Sequence, residues 1–199
     1  MAANPSSSTI GLSQLRQSDS STTAPSAEQG GLTILKQDSG TNLSMMNISI
    51  EVSPTYGTSQ VVKFTAPKSD WKLENVLVMA TDGWNESSQQ YPDYLPFAIE
   101  VRDADLRLLH HFSDTQVPYF TAIEGIRMAN IEVPSIPVNG DFYVCFYGYL
   151  SLALVTELQN ATNNSYYFDK QTGLLYPGLL QLNSNQTLPV NWLIRAAGR

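Results

Sequence analysis

From Leu32 onward the chain is written in short apolar runs, broken by turn residues at spacings of about 10 to 15, and few architectures accept that pattern. Such runs are too short to bury the face of a helix, but they suit the strands of a sandwich, where side chains alternate between core and solvent. Thr33–Lys36 and Met45–Val52 are the expected first strands. Gln60–Ala66 places Val62, Phe64 and Ala66 on one face, and Pro67 ends it because proline cannot donate to a ladder. Leu73–Ala80 is apolar on both faces beyond Asn75, which predicts a central strand covered on both sides.

Pro96–Asp103 and Leu106–Ser113 predict a hairpin turning at Asp103-Ala-Asp105, with Leu106, Leu108, His110 and Phe112 along one face. Met128–Val133 is a further strand. Asn139 and Gly140 tolerate the left-handed backbone of a tight turn. They launch Asp141–Tyr149, where Phe142, Val144 and Phe146 oppose Tyr143, Cys145, Tyr147 and Tyr149. Ser165–Phe168 and Val190–Ala197 close the set. Leu150–Leu158 is the one stretch compatible with a short turn of helix. The expected fold is all-β: a single antiparallel, jelly-roll-like β-sandwich over residues 31–199.

Residues 1–30 differ in kind. Eleven of them are Ser or Thr, the only charges are Arg16, Asp19 and Glu28, and no apolar period is present. A segment of this composition cannot bury enough surface to offset its conformational entropy, so a disordered tether is expected. Ile10–Leu15 is its one apolar patch.

Charge narrows the partners. Charged residues make up 15% of the chain against roughly 25% in ordinary domains, and the net charge is -7. The eleven Lys and Arg are scattered, so a phosphate backbone is repelled and nucleic acid is not an expected partner. Cys145 is alone, which excludes an intrachain disulfide and a cysteine-based zinc site; between Val144 and Phe146 it reads as a small buried hydrophobe. No signal peptide is visible, and the apolar, uncharged stretch 142–156 is too short to span a bilayer. Either the chain is cytosolic or it has lost a targeting segment. Six N-x-[ST] sequons, at Asn42, Asn47, Asn85, Asn160, Asn163 and Asn185, favour the second alternative and an extracellular or cell-surface home.

Five pieces of the chain, in order, resemble a known module: Val62-Lys-Phe-Thr-Ala-Pro67 followed by Trp71; the strand-turn-strand around Asp103 and Asp105; Val138-Asn-Gly-Asp-Phe-Tyr-Val144; Asn164-Ser-Tyr-Tyr-Phe-Asp169; and Asn191-Trp-Leu-Ile-Arg-Ala-Ala-Gly198. Together they resemble a β-sandwich module of surface and secreted proteins of methanogenic archaea and some bacteria, over roughly residues 31–199. The resemblance implies a jelly-roll-like sandwich appended to an enzyme, a sensor or an anchor. It brings no catalytic residues and no established activity.

Catalytic motifs are absent from the sequence: no Gly-x-Ser-x-Gly, no His-Glu-x-x-His and no phosphate-cradling glycine loop. His110 and His111 are adjacent on an expected strand, so they point to opposite faces and cannot jointly hold a metal or form a relay. One is expected to be buried and the other exposed. The carboxylates sit mostly at turns, the plain reading of which is solvated loop charge. The chain is therefore expected not to be an enzyme.

Calcium is the cofactor that such loops can hold, with oxygens from Asp38, Asn42, Asp141 and the pair Asp103/Asp105. No EF-hand spacing is present, and ordinary turn and capping duty explains the same residues. Arg195, opposite in face to Trp192, is expected to form a structural ion pair, while Tyr166, Tyr167 and Trp192 belong to the core or to inter-strand pairs.

Thr81–Tyr94 is a long loop between two strong strands, and long loops in compact domains tend to carry function. Trp84, Tyr91 and Tyr94 would stack on sugar rings while Asp82, Asn85 and Gln90 bond hydroxyls. The competing reading has the aromatics closing the open end of the sandwich. Three functions follow: a non-catalytic binding or adhesion module for a glycan or surface protein; a structural, self-assembling envelope domain, favoured if Val61–Thr65 lies at a sheet edge; or the ectodomain of a membrane-anchored sensor or enzyme.

Overall fold

The computed structural model describes residues 31–40, 46–85, 87, 91–121, 125–183 and 185–199. The expected tether, Asn42 and Gln90 lie outside them. The described residues form strands and turns without a helix, and the architecture is an all-β antiparallel sandwich.

One sheet has seven strands. Its main path runs β1 (Thr33–Lys36), β15 (Ile194–Gly198), β4 (Lys72–Thr81), β9 (Ala153–Glu157) and β14 (Asn191–Trp192), with β2 (Ile48–Val52) on β9 and β7 (Met128–Pro137) on β4. The other has six, in the order β11 (Leu174–Pro177), β10 (Ser165–Asp169), β3 (Thr58–Thr65), β8 (Asp141–Tyr147), β5 (Pro96–Asp103) and β6 (Leu108–Thr115). A separate hairpin joins β12 (Leu179–Asn183) to β13 (Gln186–Pro189).

The core lies between the sheets and is built from the alternation that the sequence shows. Val62 and Phe64, Phe97, Ile99 and Val101, and Phe142, Val144 and Phe146 face Leu73, Val76, Val78, Ile131, Leu154, Trp192 and Ile194. Each is essentially fully buried, and each such side chain contributes about 1.5–3 kcal/mol by leaving water. A smaller apolar layer covers the outside of the six-stranded sheet: Val61, Ala98, Cys145, Tyr147 and Phe168. Cys145 is free and buried, as its neighbours imply. A third cluster, Met79, Val155 and Leu193, lies outside the other sheet with Ile48 and Ile50 against it.

The C-terminal motif is a set of structural ties. Trp192 is fully buried, with Tyr167 edge-on at 5.2 Å, and its indole N–H donates to the Tyr166 carbonyl at 3.0 Å. Asn191 donates to the buried Glu157 carboxylate and to the Asn160 carbonyl, and accepts from Thr162. Ser39 caps the same carboxylate through its backbone N–H and its hydroxyl. Leu193 is the pivot at which the chain leaves β9 for β4: its N–H donates to Val155 and its carbonyl accepts from Met79. Alternation survives the pivot, so Arg195 points away from Trp192 and meets Asp38 in a buried ion pair. At Gly198 a Cβ would collide with the Lys72 carbonyl and lie 2.7 Å from the Trp71 ring, so only glycine admits this approach of β15 to β4.

Three expectations need correction, and one condition set for the self-assembling reading is not met. Residues 150–158 hold no helical turn: Tyr149 and Leu150 adopt φ of 48° and 66°, a left-handed pair that cannot nucleate a right-handed helix, and Ala153–Glu157 runs as β9. Leu106 does not share a face with Phe112. It sits in the turn at φ 63° and packs on the outer layer, while Phe112 packs on the core. Val61–Thr65 is not an edge, since β3 is paired on one side with β10 and on the other with β8. Neither histidine is buried: His110 is half-buried and His111 is exposed, because the strand that carries them is an edge strand.

Candidate functional site

The expected recognition loop leaves β4 through two side-chain-closed turns. Thr81 Oγ1 accepts the Gly83 N–H at 3.0 Å and Asp82 Oδ1 accepts the Trp84 N–H at 3.0 Å, with Gly83 at φ 70°. Such Asx and hydroxyl turns fix a backbone without help from a sheet. Asn85 repeats the device, accepting the Ser87 N–H at 2.9 Å.

Both ends of the loop are tied to one side chain, Gln116, which is fully buried. Its Nε2 donates to Asp82 Oδ2 at 3.3 Å and to the Asp93 carbonyl, and its Oε1 accepts the Leu95 N–H at 2.7 Å. The backbones of Gln116 and Leu95 also bond at 2.9 Å. A buried amide with its donors and acceptor engaged on both ends of a loop holds that loop rigidly at its base. Nothing in the sequence marks Gln116 for this part, because its partners lie 21 to 34 residues away.

The three aromatics separate. Tyr91 is 97% exposed and Tyr94 77% exposed, so neither closes the sandwich. Trp84 is half-buried. The end of the core is closed instead by Tyr119 and Phe120, whose rings stand edge-on to Phe97 at 5.4 and 4.9 Å. Phe120 also meets Phe146 at 5.6 Å. Asp82 has both carboxylate oxygens engaged within the protein.

Of the expected calcium ligands, Asp38 and Asp141 are held by other partners. Asp38 is enclosed by Arg195 in a two-pronged pair at 2.8 and 2.6 Å, and the guanidinium adds a 2.6 Å bond to the Gly40 carbonyl. Asp141 accepts from Thr65 at 2.6 Å and from Lys63 at 3.3 Å, and those two contacts hold its carboxyl below the usual range. Asp103, Asp105 and Asp141 do border one open cavity of about 300 Å³. Asp103 there accepts the Asp105 and Arg107 backbone N–H groups, both at 2.9 Å. Among the described residues no three His, Cys, Asp or Glu side chains are grouped as a metal site.

Asn47, Asn85, Asn160, Asn163 and Asn185 of the sequons are all exposed. Two sequon hydroxyls have structural work of their own: Thr162 donates to Asn191 and Ser165 accepts the Trp192 N–H.

A charged cluster on the outer face of the six-stranded sheet is absent from the sequence-based expectations. Glu100 is 1% exposed, yet its carboxylate accepts from Arg102 at 2.6 and 3.0 Å, from Lys170 at 2.9 Å and from the Tyr147 hydroxyl at 3.0 Å. His111 lies 3.5 Å away. Burial pushes the Glu100 carboxyl up, but the bonds from Lys170, Arg102 and Tyr147 outweigh it and hold it below its ordinary value. Arg102 also stacks over Phe168 at 4.6 Å. Glu100 and Arg102 share a face at i and i+2, but Lys170 comes from a different strand end and has no local signature.

Among the described residues no helix is long and apolar enough to cross a membrane. No protein-family model matches the chain, and no curated protein matches it.

Proposed function

We propose that the chain is a non-catalytic, extracellular binding module whose β4–β5 loop recognises a glycan or a surface protein. The observation that carries this reading is the combination of two exposed tyrosines, Tyr91 and Tyr94, with a loop base fixed by the buried Gln116. Exposed aromatics on a pre-ordered support lose little conformational entropy when they stack on a ligand. Trp84, half-buried, and Asn85, exposed, belong to the same loop in sequence and are available to the same ligand. The resemblance to surface-protein modules and the excess of sequons support an extracellular setting, on its own or as part of a membrane-anchored protein.

The test is a glycan array and a retention assay on cell-surface extract, run with the wild type and with Tyr91→Ala/Tyr94→Ala. The reading expects specific retention by the wild type and its loss in the variant, with an unchanged melting temperature. Equal retention by both removes the loop from the account. The rival reading, a structural or self-assembling envelope domain, draws on a different observation, the open edge of β6.

A further inference from the structure

Most outer strands of the two sheets carry a device that discourages pairing with another chain. β1 is four residues long and ends on Lys36; β11 is four residues long and ends on Pro177; β14 has two residues. β7 is long, but Pro134 and Pro137 interrupt it and Glu132 is exposed. Short length, proline and charge are the usual guards of a sheet edge. β6 has eight residues, no proline and no lysine or arginine; its exposed Asp114 and its bulged Leu109 guard only the two ends of the strand. Among the described residues it pairs only with β5.

The backbone defines which groups are open. The Gln116 N–H donates to the Leu95 carbonyl, so Gln116 faces β5. Alternation then turns His110, Phe112 and Asp114 toward β5 and His111 and Ser113 outward. The register shift between Val101 and Arg102 leaves Leu109 bulged on β6, so the regular edge begins at His110. At the other end the Thr115 N–H is taken by Asp114 Oδ1 at 2.8 Å. The open donors are therefore those of His111 and Ser113.

We propose that this edge pairs with β6 of a second copy, antiparallel, about a two-fold axis through Phe112. The register follows from the two limits. An axis through His111 would set Ser113 against the bulged Leu109, and one through Ser113 would set His111 against the occupied Thr115. Centred on Phe112, His111 of each copy faces Ser113 of the other and exchanges both backbone bonds, four in all. The same register sets His110 opposite Asp114 of the second copy, placing an imidazole N–H donor at each side of the axis beside a carboxylate that already accepts from Thr115 and Tyr119. Thr115 leads directly to Gln116 and the base of the recognition loop, so the dimer carries its two loops at opposite ends.

The test is sedimentation of the full chain over a dilution series from millimolar to micromolar, with three variants. The wild type is expected to reach twice 22.0 kDa at the concentrated end and to dissociate on dilution. Ser113→Pro places the missing N–H on the outward side, where a strand tolerates it, and should give a monomer with unchanged circular dichroism. His110→Asp sets like charges across the axis and should also give a monomer, while His110→Asp/Asp114→Lys reverses the pair and should restore the dimer. A wild type that stays monomeric at millimolar concentration, assembly beyond two chains, or a dimer that survives both Ser113→Pro and His110→Asp would overturn the proposal.

Discussion

Replacing Asp38 by alanine isolates the tie that fastens the first strand region to the last strand. The Asp38 side chain is fully buried and Arg195 is 14% exposed, so the substitution leaves a guanidinium out of water without a counter-ion. Two charge-assisted bonds disappear, and the Gly40 carbonyl alone remains on Nη2. Removing one partner of a buried ion pair costs about 3–5 kcal/mol, most of it the penalty of the stranded charge. Removing both is a different perturbation: Asp38→Leu/Arg195→Met fills the space with apolar atoms and should lie within about 1 kcal/mol of wild type. Urea denaturation read by tryptophan emission gives both values from the midpoint, provided the slope is unchanged. A loss below about 1 kcal/mol for Asp38→Ala, or a double variant worse than the single, would refute the reasoning. The same experiment bears on calcium. With both Asp38 oxygens on Arg195, a chelator should leave the wild-type midpoint where it is, because a ligand of the native state would raise it by mass action.

Three further outcomes follow from the described contacts. Glu100 has a depressed carboxyl in the folded chain, so its stabilising contribution is full above its ordinary value near 4.5 and is lost as pH falls through the folded value. Glu100→Gln should therefore flatten the acid limb of the stability curve and cost roughly 2–3 kcal/mol at neutral pH, which pH-dependent urea melts measure. The Cys145 thiol is pushed up to about 12 by burial, so a thiol reagent at neutral pH should label the native chain slowly and the unfolded chain fast. Equal rates would place that face in solvent. Gly198→Ala forces a methyl into the Lys72 carbonyl and the Trp71 ring, and should lower stability by about 1–3 kcal/mol in a thermal melt.

Much of the sandwich is legible in the sequence because its code is local. Alternation at Phe142, Val144 and Phe146 names a core face, Pro67 names a strand end, and Gly140 names a turn. Pairing order is not local: β1 closes on β15 across the whole chain, and β3 lies between β10 and β8. An edge strand and an interior strand of equal composition differ only in such partners, which is why Val61–Thr65 reads as a possible edge. The loop at 81–94 is visible from its length and aromatics. Its anchor, Gln116, is invisible because the bonds that recruit it are long-range. The C-terminal Asn191–Gly198 motif is conspicuous for a structural reason. Asn191, Trp192, Arg195 and Gly198 each answer a packing demand of this fold, so the motif speaks for architecture and is silent on ligand.

The central claim, recognition through the β4–β5 loop, is tested most directly by the chain's own tryptophans. Trp71 and Trp192 are 1% and 0% exposed, whereas Trp84 is half-buried beside Tyr91 and Tyr94 in sequence. Emission that acrylamide can quench therefore arises from Trp84, with Trp84→Phe as the control that removes it. Saturation with a glycan or surface protein retained in the array should lower the quenchable fraction in the wild type, as bound ligand covers the indole. An unchanged quenching curve at saturating ligand would contradict the account and move the binding surface away from this loop.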